Sequence, residues 1–410
     1  MCLFLPLAAC EAEYGEKTAD DYDELMAEGV AALADADSAT ANDRFMRAQR
    51  VRGGDAAAGL GLALSDMQGL VELVDSLLGF LVDMTAPEAQ VPAPVQASTN
   101  PGGLAPGSTL GDTLHHFIKH IMEPVLEEMV AGLDDARRDP DLVLDIPVVP
   151  IELLGEELLD MGGEWDAADV LWLSSLAYTM KGAVDFMQGI NLDFDPGPLL
   201  AMNSVRKLLT GEPVDFDMLF VELTDVLLTI LDDPEKEDLL SPLDGGLERI
   251  AQAQMELALA AKFGAATWRT AGRETDAQSD DVLGYVDANG NGVFDAGEVY
   301  VFLGGEYSAF MRDLLPAFET TLDALYLGLA EGTPVDPYPI SPQTFDPAVF
   351  NEFLIIFGLP ALVASAQWDL AAFFADPPLA EMKDLVADVL HCYADTDDPD
   401  EIFLCLSELF

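Results

Sequence analysis

Twelve consecutive residues, Asp287 to Glu298, carry the most specific chemistry in the chain. They read Asp-Ala-Asn-Gly-Asn-Gly-Val-Phe-Asp-Ala-Gly-Glu. Oxygen-bearing side chains fall at loop positions 1, 3, 5, 9 and 12, with glycine at position 6. That spacing lets one short loop surround a Ca2+ ion with oxygen ligands. Asp287, Asn289 and Asn291 offer side-chain oxygens, and Val293 offers its carbonyl. Asp295 binds directly or through water, and Glu298 closes the site with both oxygens. Gly292 permits the sharp turn, and Phe294 supplies an apolar anchor. An acidic Asn-Gly turn without an ion is the competing reading, but an excess of acid does not by itself supply Gly292, two asparagines and Phe294.

This pattern resembles the EF-hand loop. The resemblance implies a single structural calcium site, of the kind that fixes a connection in extracellular bacterial proteins, and not one half of a paired sensor. Residues 276–285 suggest a short entering helix. Val299 to Leu303 suits either a strand or one helical turn.

Other chemistry is sparse. His116 and His120 lie four residues apart, and Glu123 and Glu127 continue that helical face. Such spacing suits a transition metal. A zinc-protease helix needs Glu directly after its first His, and Phe117 stands there, so a solvated face is the better reading. His391 precedes Cys392, but adjacent residues on a helix point in different directions. The sequence contains no Gly-x-Ser-x-Gly elbow, P-loop or dinucleotide fingerprint. Carboxylate pairs suited to hydrolysis are so numerous that none stands out. The expectation is a protein that is not an enzyme.

With 410 residues, half of them hydrophobic, the chain is long enough for two or three domains with buried cores. Against 18 Lys and Arg stand 75 Asp and Glu, a net charge of −57. Such a field repels nucleic acid and anionic lipid and favours cations and basic proteins. Solvation in a salty medium, which screens self-repulsion, is the plain reading of the acid load.

A short apolar run from Leu3 ends in Leu7-Ala8-Ala9-Cys10 and gives way to polar residues. It resembles the lipobox of bacterial lipoproteins. The resemblance implies an acylated Cys10, and Glu11 in place of Asp implies the outer membrane. It departs from the pattern in lacking a positive n-region, and its apolar run is short. The most apolar later stretch, residues 69–84, carries Glu72, Asp75 and Asp83 and does not suit a bilayer. With Cys10 acylated and Cys2 removed, Cys392 and Cys405 remain. In an oxidising compartment they would pair and staple a terminal helical hairpin, worth about 3 kcal/mol. Free buried thiols are the alternative.

Residues 18–85 repeat apolar and alanine positions at helical spacing. Leu25, Gly29, Ala32, Ala41, Phe45 and Ala48 resemble the packing residues of a tetratricopeptide repeat, and Ala58 to Ala63 resembles the opening of another. The resemblance implies helical hairpins with Phe45 filling the gap between pairs; a plain hairpin is the alternative. Proline and glycine then mark a linker over 86–108. Beyond it, helices are expected over 110–137, bent near Pro124, and over Trp165–Gly189, with a buried stripe of Ala168, Leu171, Trp172, Ser175 and Met180. An extended connector at Asp145–Ile151 separates these two. Further helices are expected over 198–210, 215–231, 246–271, 306–328, 347–374 and 378–391.

The fold class expected is all-α with little or no β. It divides into a signal remnant at 1–10, a tetratricopeptide-like segment at 11–85, the linker at 86–108 and a helical domain at 109–410. The function expected is a calcium-stabilised lipoprotein of the cell envelope, held to the outer membrane by its lipid alone. It would offer a helical scaffold to a protein or peptide partner and would not bind nucleic acid. A helical domain for a small apolar ligand, or a hydrolase with carboxylate catalysis, is the alternative.

Overall fold

The computed structural model describes residues 19–83, 110–153, 156–194, 216–231, 238–271 and 322–331, short pieces at 283–285, 288–291, 300–302 and 305–307, and a few isolated positions. These residues form an all-α body carrying small antiparallel β pairs.

Helix α1 spans Ala19–Ala34 and α2 spans Ser38–Val51. The turn between them uses Ala36 in the left-handed region, at φ 52°. Asp37 then caps α2, its carboxylate accepting the Thr40 N–H at 3.0 Å, which satisfies one of the orphan donors at a helix start. Helix α3, Ala56–Asp83, packs on α2. Phe45 of α2 is fully buried and lies flat against two glycines. A Cβ on Gly29 of α1 or Gly61 of α3 would meet its ring at 2.7 or 2.5 Å. The expected filling of the inter-helix gap by Phe45 is therefore the observed packing.

Helix α4 is Leu110–Phe117 and α5 is Glu123–Ala136, joined by a π turn over Ile118–Met122. The bend expected at Pro124 is taken up by this wider turn. Glu123 N–H bonds back to the Ile118 carbonyl, and Pro124, with no N–H to donate, sits harmlessly in the first turn of α5. Helix α5 crosses α3 so closely that a Cβ on Gly59 would fall 2.6 Å from the Gly132 carbonyl oxygen.

The connector expected at Asp145–Ile151 is extended and also paired. Strand β1, Leu144–Ile146, pairs antiparallel with β4, Gly163–Trp165; β2, Pro150–Leu153, pairs with β3, Glu156–Asp160. Gln68 ties this region to the helices by donating to the Leu33 and Pro150 carbonyls at 3.0 and 2.9 Å. Trp165 is fully buried and donates its indole N–H to the Met161 carbonyl.

Helix α6 runs over Ala167–Gly189 behind a capping box formed by Asp166 and Asp169. Its buried face is Ala168, Val170, Leu173, Ala177 and Val184. Of the expected stripe, Ala168 is fully buried; Leu171, Trp172, Ser175 and Met180 are partly buried, with Trp172 and Met180 packed on the core and Ser175 donating to the Ala260 carbonyl. Helix α7 covers Phe216–Leu231 and α8 covers Gly246–Ala271. Helices α6 and α8 share the largest interface among the described elements. Gly182 there receives the Leu257 side chain, and Gly189 and Gly246 bring their backbones together. One apolar core runs continuously from α1 to α6.

Candidate functional site

Two regions bear on function: a charged recess between α5, α6 and α8, and the loop containing Asn289 and Asn291.

The recess holds about 400 Å3 and is lined by side chains from three helices. Helix α5 contributes Glu123 and Glu127, α6 contributes Lys181 and Asp185, and α8 contributes Glu248, Arg249 and Gln252. Gly245, in the left-handed region at φ +77°, turns the chain into α8 at the rim. Arg249 organises one side. Its Nη1 donates to Glu123 Oε1 and to Asp185 Oδ1, each at 2.8 Å. Lys181 organises the other, donating to Glu256 Oε1 at 2.9 Å with Asp185 Oδ2 at 4.0 Å. Gln252 also donates to Glu256. Asp185 is only 2% exposed and Glu256 only 5%.

Burial pushes the Asp185 carboxyl up, against the opposing pull of Arg249 and Lys181. Burial works against the Lys181 ammonium, but its bond to Glu256 and the charges of Glu256, Asp185 and Glu127 together outweigh that and its pKa rises. Both cations are thus held charged, and both bear on carboxylates at the floor of the recess. Arg249 holds the Glu123 and Asp185 carboxylates in fixed hydrogen bonds from α5 and α6. The rim differs. Glu127 and Glu248 are exposed, and four lining carboxylates face two lining cations. The recess therefore keeps a net negative field for something that enters it.

Of the expected calcium ligands, Asn289 and Asn291 lie in a described bend at 288–291. Asn289 Oδ1 accepts the Asn291 N–H at 3.1 Å, an Asx turn that folds the chain back on itself. Gly290 between them is left-handed at φ +72°. Asp287, Val293, Asp295 and Glu298 lie outside the described residues. The flanks correct the expectation of an entering helix at its end, because Leu283–Tyr285 is a strand, β5. It pairs antiparallel with β6, Tyr300–Phe302, with Tyr285 opposite Tyr300. Strand β7, Gly305–Tyr307, extends the sheet where a helix was expected to start at Glu306. The twelve-residue loop thus lies between two paired strands.

Cys10, Cys392 and Cys405 lie outside the described residues. His116 and His120 lie with ring centroids 4.5 Å apart, their planes tilted by 50°, but among the described residues no group of three His, Cys, Asp or Glu is arranged to hold a metal. No helix among them is long and apolar enough to cross a membrane. The recess was not foreseen as a unit. Only Glu123 and Glu127 read together in the sequence, as one helical face, and the bonds that build the recess join residues 64, 75 and 126 apart along the chain. Compared with protein-family models, with curated proteins and with solved structures, the chain matches none.

Proposed function

We propose that this chain is a calcium-stabilised lipoprotein of the cell envelope that binds a basic protein or peptide. Cys10 carries the lipid and holds the protein at the outer membrane. Asp287, Asn289, Asn291, Val293, Asp295 and Glu298 hold one Ca2+, which fastens the hairpin between β5 and β6. Cys392 and Cys405 form a disulfide. The helical body is the binding part, and a cationic side chain of the partner enters the recess between α5, α6 and α8.

What supports this reading is the residual negative charge of a recess whose own cations are already engaged. A ligand must bring positive charge of its own. Two apolar side chains argue for a peptide over a bare ion: Leu247 and Met255, about half exposed at 50% and 49%, stand on α8, the helix that also carries the lining residues Glu248, Arg249 and Gln252. They offer dry contact to the residues flanking the inserted side chain.

Titration calorimetry of the full chain with a short Lys- and Arg-rich peptide in 150 mM salt tests the proposal. One-to-one binding is expected, weakened about tenfold in a Glu127→Gln, Glu248→Gln double variant, since two rim charges each contribute at most about 1 kcal/mol at exposed positions. These side chains are exposed, so the variant keeps the fold. Equal affinity in both proteins would show that the recess is not the site.

A further inference from the structure

Three buried side-chain polar atoms among the described residues have no hydrogen-bond partner: Asp66 Oδ2, Gln68 Oε1 and His116 Nε2. Only the first belongs to an acid. Asp66 is 6% exposed and sits on α3 where α2 and α5 both pack. Its Oδ1 accepts the Asn42 side-chain N–H of α2 at 2.7 Å. From α5 it faces Glu128, a second acid, and no charged group of α1 or β2 acts on it. Among the described residues no cation pairs with it.

An ionised carboxylate at this position would stand in an apolar seam with one donor and a like charge nearby. Both burial and the like charge disfavour that form. The neutral acid brings no charge into the seam and keeps Oδ1 as the acceptor for Asn42, with its proton on Oδ2. The seam has little slack to relieve a charge. About two helical turns along α3, Gly59 touches the backbone at Gly132, and on the α2 side Gly61 touches the Phe45 ring.

We propose that Asp66 is a proton-operated latch of the α2, α3 and α5 seam: with a proton on Oδ2 the three helices close, and loss of that proton loosens them. The carboxyl is pushed up to about 8, chiefly by burial and further by Glu128, with the Asn42 bond acting the other way. An acid whose pKa is raised on folding holds more protons folded than unfolded. Its stabilising proton is fully in place below the unfolded value and is lost as the pH climbs through the folded one. The latch is therefore closed in acid and at neutrality and opens in the mildly alkaline range. It does not depend on the peptide-binding reading.

Thermal melting of the full chain between pH 5.5 and 9.5 tests this in the wild type, in Asp66→Asn and in Glu128→Gln. Asn keeps the shape of the acid and an acceptor for Asn42 but has no proton to lose. The wild-type midpoint should fall through about pH 8 while that of Asp66→Asn stays level, and hydrogen exchange at pH 9 should quicken over 38–51 and 56–70 in the wild type alone. Glu128→Gln should give a smaller fall that levels off at lower pH. Parallel melting profiles for wild type and Asp66→Asn overturn the proposal. If Asp66→Asn does not fold, a Glu128→Gln profile that coincides with the wild type overturns it equally.

Discussion

Arg249 shows how one cation is used among so many carboxylates. Its Nη1 is shared by Glu123 and Asp185, and Asp185 is almost wholly buried. Removing one partner of a buried pair costs more than the pair contributes, because a charge is left without compensation. Arg249→Met is therefore expected to lower unfolding stability by about 3 kcal/mol, the low end of that range because the guanidinium is a third exposed. The loss should shrink in acid, where Asp185, already pushed up by burial, takes a proton and needs no cation. Urea denaturation at pH 7 and pH 4.5 measures both, and an equal loss at the two pH values would mean that Arg249 acts through packing alone. Nothing in the sequence singles out Asp185 or Asp66. Each is one of 75 acids, and burial of a particular acid depends on helices that meet it from distant parts of the chain. The pattern at Asp287–Glu298 stands out in the sequence for the opposite reason, since its candidate ligands lie within twelve consecutive residues.

Among the elements, the long helices were legible because their apolar positions repeat over several turns, as in α2, α6 and α8. The strands were harder to read. β1 and β4 have three residues each, too few to display a period of two. β5 and β6 are equally short, so residues up to Tyr285 read as the end of a helix. The π turn before Pro124 has no sequence signature beyond the proline itself. Burial along α6 extends beyond the expected stripe because both α5 and α8 pack on it, and a helix covered from two sides does not show one narrow stripe. The α1, α2 and α3 unit was read best, through its small residues. Gly29 and Gly61 exist to admit Phe45, so the ring holds three helices at once. Phe45→Ala would leave a cavity that neither glycine can fill, with an expected loss of about 3–5 kcal/mol. A chemical denaturation midpoint close to that of the wild type would show that the helices collapse onto the vacated space.

At the scale of the molecule, the net charge of −57 makes two distinct claims on cations. Self-repulsion is relieved by any salt, because the Debye length shrinks from about 30 Å at 0.01 M to about 10 Å at 0.1 M. A built loop is relieved by one ion of the right size, at low concentration and to saturation. The two responses separate in a melting experiment. Adding NaCl from 0.01 to 0.5 M should raise the midpoint gradually in the wild type and in Glu298→Ala alike. Adding Ca2+ at fixed ionic strength should raise the wild-type midpoint further and then level off, with no such step in Glu298→Ala and little for Mg2+, which dehydrates reluctantly and prefers octahedral sites. The size of the step follows the ratio of free ion to its dissociation constant, about 2.7 kcal/mol at a hundredfold excess. If Ca2+, Mg2+ and Na+ act equally once ionic strength is matched, the acid load is responding as a whole and the hairpin between β5 and β6 holds no ion. If only Ca2+ saturates, and only with Glu298 present, the loop is a fastener whose strength is set by the calcium concentration outside the membrane.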